Sequence, residues 1–234
     1  MEALRDLKSQ GHILCLVSGR GRESLETFDQ VLGDLPEIIC LLNGQLIYQD
    51  GIVVYENAIP VMDIQNLFQQ VDNYGFAYGG YDWNGIIVNR IDGRVEQVWN
   101  DFHAELPEVH KNLSKSSRIF QGQLYITVEE SKLFGDLLDD YLTNWSHEFL
   151  VNLIHKEAGK DKSINWCLAH FGIKRSNSYG FGDGYNDIDM FNAVGHGIAV
   201  EGAYEPLQKI AEYITDTPDE DGIANALRHY GFIK

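Results

Sequence analysis

The sequence predicts an α/β fold whose parallel-sheet core is interrupted by a smaller inserted α/β unit. Short apolar runs alternate with helix-like segments along the chain, which is the pattern of parallel strands joined by helices. The runs at 12–17 and 38–42 are almost wholly apolar, as expected for strands that are covered on both faces. The pattern changes between 58 and 152, so we expect a core built from 1–57 and 153–234, with 58–152 as the insertion.

The first core segment should contain a helix and a hairpin besides these two strands. Apolar residues recur at helical spacing from 25 to 32, between the two runs. The segments 45–48 and 52–55 flank Gln49-Asp50-Gly51. A short turn sequence between two apolar runs predicts a β-hairpin.

The insertion should begin with a helix that Pro60 opens and Gly75 ends. The sequence Ile91-Asp92-Gly93-Arg94 has the composition of a tight turn, which predicts a second hairpin. The other elements expected here are strands at 86–90 and 95–99 around that turn, a strand at 124–128, a helix at 133–141 and a strand at 149–154.

The second core segment should open with a helix that ends at Gly172. Ile164, Cys167 and Phe171 mark one face of this helix. The elements expected after it are strands at 178–182 and 197–200, and helices at 188–194, 205–213 and 222–230.

Composition excludes several function classes. The 35 acidic and 18 basic residues give a formal net charge of −17, which repels phosphate backbones, so we expect no nucleic-acid partner and no anionic-membrane binding. No run approaches the roughly 18 apolar residues of a membrane helix, and no secretory signal is recognisable. The three cysteines show neither disulfide nor zinc spacing. A cytoplasmic protein is expected, and homo-oligomerisation stays open.

The most informative motif is the acidic segment that follows the predicted strand at 178–182. Asp183 and Asp187 lie across a glycine turn from a strand to a helix, at the sheet edge where open α/β folds bind ligands. Two such carboxylates can converge on Mg²⁺. The alternative is that Asp187 only caps a helix and the glycines only turn the chain. A dinucleotide loop is excluded because Asp183 would face a pyrophosphate and the full glycine spacing is absent.

Two weaker motifs could bind phosphate. Ser18-Gly19-Arg20 ends the first apolar run and offers a hydroxyl and backbone N–H groups, although Ser18 could equally be the N-cap of the next helix. A lysine precedes the helix that contains Ile164, and the candidates are Lys156, Lys160 and Lys162. Exposed lysines are ordinarily solvated.

Together these motifs resemble the haloacid dehalogenase (HAD) superfamily of phosphatases, in its Cof-like branch. The resemblance runs in order along nearly the whole chain. The matching segments are Ser18-Gly19-Arg20, Asn43-Gly44, Lys160 with Gly172-Ile173, Gly182-Asp183-Gly184-Tyr185-Asn186-Asp187, the glycine-rich strand from Gly195 to Val200, and Asp221-Gly222-Ile223. The resemblance implies a HAD-like Rossmannoid core with an inserted α/β cap that selects the leaving group.

The resemblance also implies a phosphoryl-transfer site, residue by residue. Asp183 would ligate Mg²⁺, and Asp187 would ligate it or orient a ligand through water. Ser18 and the N–H of Gly19 would bind the phosphoryl group, and Lys160 would offset its charge. The remaining residues implied near the phosphate or substrate are Arg20, Asn43, Gly44 and Asn186. The expected activity is Mg²⁺-dependent hydrolysis of a small phosphomonoester, such as a sugar phosphate or a cofactor phosphate, through an aspartyl-phosphate.

The nucleophile that this chemistry needs is not found in the sequence. The resemblance implies an Asp-x-Asp-Gly-Thr motif at the end of a strand before Ser18, and none is present. The literal match at Asp219-Glu220-Asp221-Gly222 is expected to start a helix instead. The explanation we favour is that the stated sequence starts late; the alternatives are a non-catalytic remnant that binds a phosphorylated metabolite or partner, and a strand donated by another chain.

Overall fold

The computed structural model describes residues 1–113, 118–156 and 158–234. The chain divides into two units. The core unit comprises Met1–Arg20, Ser24–Glu56 and Gly159–Lys234, and the inserted unit comprises Gly21–Glu23 and Asn57–Ala158.

The described residues form helices and strands that alternate for much of the chain. The helices are α1 (Glu2–Ser9), α2 (Leu25–Leu32), α3 (Val61–Asn73), α4 (Gly93–Asp101), α5 (Val128–Ser131), α6 (Lys160–Phe171), α7 (Ile188–Ala193), α8 (Glu205–Ile210) and α9 (Gly222–His229). The strands are β1 (Cys15–Val17), β2 (Ile38–Leu41), β3 (Leu46–Gln49), β4 (Ile52–Glu56), β5 (Tyr78–Tyr81), β6 (Ile86–Val88), β7 (Glu108–Val109), β8 (Gln121–Leu124), β9 (Tyr141–His147), β10 (Leu150–His155), β11 (Tyr179–Gly182), β12 (His196–Val200) and β13 (Tyr213–Thr215).

The core unit contains two sheets, which confirms the predicted parallel-sheet core. In the first sheet, β1 and β2 are parallel and β3 and β4 form the predicted antiparallel hairpin. In the second sheet, β11, β12 and β13 are all parallel. Among the described strands, β1 pairs with β2 alone and β11 pairs with β12 alone, so each has one edge without a strand partner.

The carboxyl ends of β1 and β11 position the motifs of interest. The apolar run at 12–17 becomes a strand only from Cys15, and it ends directly before Ser18. The acidic motif that contains Asp183 begins where β11 ends, at Gly182. Helices α6 and α7 and strand β12 contribute Ile164, Met190 and Ala199 to one buried hydrophobic cluster of the core unit.

The inserted unit is built on one six-stranded sheet in the order β7-β6-β5-β8-β10-β9. Helix α3 packs on one face, where Ile64, Phe68 and Leu124 belong to a fully buried cluster. Helix α4 packs on the opposite face through Val95 and Val98.

The predicted second hairpin is wrong. Residues 95–99 form part of α4, because the side chain of Asp92 accepts hydrogen bonds from the N–H groups of Arg94 and Val95, at 3.0 and 3.1 Å, and so caps a helix. Strand β6 pairs instead with β5. Strand β5 is not predicted from the sequence because Gly79 and Gly80 have low strand propensity.

Three other boundaries differ from the prediction. The strand expected at 124–128 lies at Gln121–Leu124, and Thr127 caps α5. The helix expected at 133–141 is a short 3₁₀ segment, Lys132–Leu138, which Gly135 breaks with a φ of 42°, and Tyr141 already begins β9. The helix expected at 205–213 ends at Ile210, since Tyr213 begins β13.

None of the helices within the described ranges is both long enough and apolar enough to cross a membrane.

The inserted unit contains a bidentate ion pair between α4 and α5. Arg94 donates to both carboxylate oxygens of Glu130, at 2.7 and 2.8 Å. The N–H of Thr127 donates to the same carboxylate at 2.8 Å. These donors, with Arg94 foremost, lower the pKa of Glu130 to about 2.

This ion pair should make the free energy of unfolding depend on pH in the acid range. A carboxylate whose folded pKa is depressed stabilises the fold above its unfolded pKa, and this contribution is lost as the pH falls from about 4.5 towards 2. We expect Glu130→Gln to lower the free energy of unfolding by about 1–2 kcal/mol at pH 7, and by less at pH 3. Urea unfolding of both proteins at the two pH values measures this.

The matched control is Glu129→Gln. Among the described residues, Glu129 pairs with the exposed Lys132 alone, at 2.6 Å, so its loss should change the unfolding free energy by less than about 0.5 kcal/mol. A Glu130→Gln effect that is the same at pH 7 and pH 3 would contradict the assignment.

Candidate active site

A buried ion pair lies at the centre of the site. The Nζ atom of Lys160 lies 2.5 Å from Oδ1 of Asp187, and the two residues are only 5% and 4% exposed. Lys160 is the first residue of α6, and Asp187 directly precedes α7. Buried charges are stable only when they are paired and hydrogen-bonded, so this pair fixes α6 against the turn after β11.

The second oxygen of Asp187 organises the glycine turn. Oδ2 accepts hydrogen bonds from the N–H groups of Asp183 and Gly184, both at 2.9 Å. A Cβ atom at Gly182 would lie 2.7 Å from both Cβ and Cγ of Asp187, so only glycine allows this approach. Asp187 directly precedes α7, but its side chain makes no capping hydrogen bond to that helix. Its oxygens bind the turn and Lys160 instead.

Asp183 differs from Asp187 in having a free carboxylate. Its backbone is fixed, because its N–H donates to Asp187 and its carbonyl accepts from the N–H of Tyr204 at 2.8 Å. Asp183 is exposed, and its carboxylate makes no hydrogen bond or ion pair within the described ranges. A rigidly held, unpaired carboxylate is a suitable ligand for a divalent cation.

The residues present fit an Mg²⁺ ion that is held by Asp183, and they do not form a closed cage of side chains. Within the described ranges, no group of three or more His, Cys, Asp or Glu residues could hold a metal ion. Mg²⁺ usually keeps several waters and takes one or two carboxylates together with substrate phosphate. Because both oxygens of Asp187 already have partners, the geometry favours an indirect role for Asp187, and its direct ligation remains a prediction.

The Ser18-Gly19-Arg20 loop lies beside the acidic turn. A Cβ atom at Gly19 would meet Oδ1 of Asn43 at 3.0 Å and Nδ2 of Asn186 at 3.3 Å. Asn186 donates to Oδ1 of Asn43 at 3.1 Å, and the N–H of Asn43 donates to the carbonyl of Ser18 at 3.0 Å. Three segments that are far apart in sequence therefore meet at this point.

The alternative role of Ser18 as an N-cap is wrong. Helix α2 begins at Leu25 with Ser24 before it, whereas Oγ of Ser18 accepts from the N–H of Arg20 at 3.1 Å. Arg20 is exposed, and its guanidinium has no ion pair with any described residue.

The Asn43-Gly44 turn packs on the start of α6. Both residues have positive φ angles, 57° and 90°. A Cβ atom at Gly44 would lie 2.5 Å from Oγ of Ser163 and 2.9 Å from the carbonyl oxygen of Gly159. The turn therefore lies directly against the segment that presents Lys160.

The other candidate lysines lie elsewhere. Nζ of Lys162 is 3.5 Å from Oδ2 of Asp161, and Lys162 is exposed. Lys156 belongs to the inserted unit and is also exposed. The Asp219–Gly222 segment precedes α9, as expected of a helix start.

Sequence reasoning missed two contributors to this arrangement. Ser163 is fully buried on α6 and donates to the carbonyl of Lys160 at 2.8 Å. Tyr204 supplies the N–H that holds the backbone of Asp183. Neither residue belongs to a motif, and a serine inside a helix gives no signal that it will face a glycine turn.

Comparison with known proteins identifies the family of this chain. A family model described as haloacid dehalogenase-like hydrolase matches residues 1–227. The chain belongs to this family. The recognition made from the motifs is thus confirmed at the level of the superfamily and its phosphatases.

Individual relatives cover almost the whole chain. YkrA of Bacillus subtilis strain 168 is 28% identical over 235 residues, which cover 100% of this chain and 90% of YkrA. From the same organism, the 5-amino-6-(5-phospho-D-ribitylamino)uracil phosphatase YcsE is 42% identical over 236 residues, which cover 98% of this chain and 86% of YcsE. The structure of the HAD subclass IIB sugar phosphatase BT4131 matches with a TM-score of 0.81 and 26% identity, over 99% of this chain and 90% of that protein.

The two aspartates should respond differently to substitution. Asp187→Ala leaves the ammonium of Lys160 buried without its partner, so we expect a loss of about 3–5 kcal/mol in the free energy of unfolding. Asp183→Asn removes an exposed, unpaired charge and should change that free energy by less than about 0.5 kcal/mol. Urea unfolding at pH 7 in buffer without divalent cations measures both.

A double variant tests the cause. If the Asp187→Ala loss arises from the orphaned ammonium, Lys160→Met in the same chain should recover part of it. Equal destabilisation by Asp183→Asn and Asp187→Ala would refute the separation of their roles.

Proposed function

We propose that this HAD-family phosphatase binds a small phosphomonoester, such as a sugar phosphate or a cofactor phosphate, together with Mg²⁺. The observation that carries the proposal is the convergence of the buried Lys160, the free carboxylate of Asp183 and the Ser18-Gly19 loop at the ends of β1 and β11. Phosphoryl transfer depends mainly on positioning and charge neutralisation, and these groups are suited to both.

Three groups of the core unit can bind the phosphoryl oxygens. The oxygen of the Ser18 hydroxyl accepts from the N–H of Arg20, so its own hydrogen is available for donation. The N–H of Gly19 has no acceptor among the described residues. Lys160 has three ammonium hydrogens, and Asp187 is its single carboxylate partner among the described residues, which leaves hydrogens for a phosphate oxygen.

The metal belongs to the same proposal. Asp183 would hold Mg²⁺, and the cation would neutralise charge on the phosphate oxygens. Asp187 would act behind it, because it keeps Lys160 and the backbone of Asp183 in place.

The class of leaving group is inferred from the relatives. YcsE is named for a phosphorylated ribityl compound and BT4131 as a sugar phosphatase. Both names describe a phosphate attached to a chain or ring that is rich in hydroxyl groups. We extend this class to the present chain.

The phosphate site should be measurable by binding. In the presence of Mg²⁺ we expect saturable binding of inorganic phosphate, which Asp183→Asn and Lys160→Met each weaken by about tenfold or more, since each removes a charge-assisted contact. Isothermal titration with and without Mg²⁺ measures the affinities. The Asp183→Asn protein should also lose its response to Mg²⁺.

The control for this experiment is Asp219→Asn, which changes the first aspartate of the Asp-x-Asp-Gly sequence near the carboxyl end. Its phosphate affinity should equal that of the unchanged chain. A loss of binding in this variant, or phosphate binding that Asp183→Asn leaves intact, would overturn the assignment of the site.

Turnover by the 234-residue polypeptide is a separate expectation. In this proposal the groups described above bind and position a phosphate, and Asp183, the unpaired carboxylate among them, holds the metal, so none of them is assigned as the nucleophile that forms an aspartyl-phosphate. We expect little or no phosphate release from a panel of sugar and cofactor phosphates with Mg²⁺, as measured with malachite green. Robust release that Asp183→Ala abolishes would show that a nucleophile is present in this chain.

A further inference from the structure

The inserted unit contains a cavity of about 650 Å³, and the described residues that line it all belong to this unit. The cavity lies at the carboxyl ends of two parallel strands, β6 and β7. The segment 89–91 follows β6, the segment 110–112 follows β7, and both contribute to the lining. The last turns of α3 supply Gln69 and Asp72. A cavity of this size accommodates a small organic ligand.

A buried amide group lines this cavity with its donor unused. Asn89 is only 8% exposed, and its Oδ1 accepts a hydrogen bond from the N–H of Tyr78 at 2.9 Å. The N–H of Asn89 donates to the carbonyl of Tyr78, also at 2.9 Å, so the position of Asn89 is fixed against β5. Its Nδ2 has no acceptor among the described residues. Because Oδ1 is engaged, Nδ2 is the group of this side chain that can bind a ligand.

The charges of the lining leave one cation without an ionic partner. Nη1 of Arg90 lies 3.5 Å from Oδ1 of Asp72, and its Nε lies 3.8 Å from Oδ2 of Asp92. Arg90 also donates to the carbonyl of Gly75, just beyond α3, so its charge is compensated and its role is to hold the end of that helix. Lys111 is exposed and forms no ion pair with any residue that the structure describes. The cavity therefore offers an ammonium group and an amide N–H to a ligand.

The neighbouring acid and the rest of the wall determine what kind of ligand fits. Glu108 of β7 pairs with His110, at 2.9 Å, and not with Lys111. Ile91 and Val109 give the wall an apolar part, and Val109 is 41% exposed. Exposed apolar surface beside two unused donors suits a ligand that has an apolar body and an anionic head. One uncompensated positive charge matches a monoanion.

We propose that this cavity binds a small organic carboxylate. Its oxygens accept hydrogen bonds from Nδ2 of Asn89 and Nζ of Lys111, and its apolar body packs against Ile91 and Val109. A carboxylate carries the single negative charge that the ammonium group compensates, whereas an organic cation would be repelled. The cavity shares no residue with the phosphate site proposed in the core unit. The inference therefore goes beyond the proposed function and does not depend on it.

The test compares three probes that share a benzene ring and differ in charge. Phenylacetate is an anion, 2-phenylethanol is neutral, and 2-phenylethylamine is a cation at pH 7. Binding to the full 234-residue chain is followed by two-dimensional ¹H–¹⁵N NMR, without phosphate or Mg²⁺. The side-chain amide signals of Asn89 and Asn112, which both line the cavity, report its occupancy directly.

Two variants and one control identify the binding groups. Lys111→Met removes the ammonium group. Asn89→Asp keeps an acceptor for the N–H of Tyr78 and replaces the amide donor with a second oxygen. The matched control is Lys132→Met, because Lys132 is another exposed lysine of the same unit and pairs with Glu129.

We expect phenylacetate to shift the cavity signals saturably, 2-phenylethanol to bind about fivefold or more weakly than phenylacetate, and 2-phenylethylamine to show no saturation, since only the anion gains charge-assisted hydrogen bonds. Lys111→Met should weaken phenylacetate binding by about fivefold or more, and Asn89→Asp by about tenfold or more. Lys132→Met should bind phenylacetate as the unchanged chain does. The melting temperature of Lys111→Met should be unchanged, because the lysine is exposed and unpaired.

The inference is overturned if the three probes bind equally, if Lys111→Met retains its affinity for phenylacetate, or if Lys132→Met loses as much affinity as Lys111→Met. It is also overturned if phenylacetate shifts the signals of residues around Ser18 and Asp183 and leaves those of the cavity in place, since the anion would then bind in the core unit. Each of these results leaves the proposed phosphate site standing. Conversely, a failure of phosphate binding at Asp183 and Lys160 would not change the shifts expected here.

Discussion

The buried ion pair between Lys160 and Asp187 is the constraint on which the rest of the site depends. Neither charge is exposed to water, so each must be compensated within the core unit. Asp187 meets this requirement with its lysine on one oxygen and two backbone N–H groups on the other. The same contacts that make the pair tolerable therefore fix the start of α6 and the turn after β11 in one arrangement.

This arrangement divides two chemically identical residues into different roles. Both oxygens of Asp187 make structural contacts. These contacts hold the backbone of Asp183 rigid, while the carboxylate of Asp183 has no partner among the described residues. The division depends on Gly182, because a side chain there would collide with Asp187. A turn with this spacing places one aspartate in structural contacts and leaves the carboxylate of the other without a partner among the described residues, which is the arrangement that the proposed metal site requires.

The positions of these side chains at strand ends could be predicted from the sequence, whereas their contacts could not. Strand ends follow from short apolar runs, so Ser18 and Asp183 could each be expected at the carboxyl end of a parallel strand. The hydrogen bonds of Asp187 could not be predicted, since they depend on how α6 packs in three dimensions. The error at 95–99 has a similar cause: Asp92-Gly93 is compatible with a hairpin turn or a helix start, and only the cap contacts distinguish them.

Gln121 and Gln123 show the same limit in the inserted unit. The pattern Gln121-Gly122-Gln123 is typical of a strand with one solvent-exposed face, yet both glutamines are buried. Burial changes what a polar side chain requires. An exposed side chain forms hydrogen bonds with water at no cost, whereas the unused oxygen of a buried side chain requires a donor.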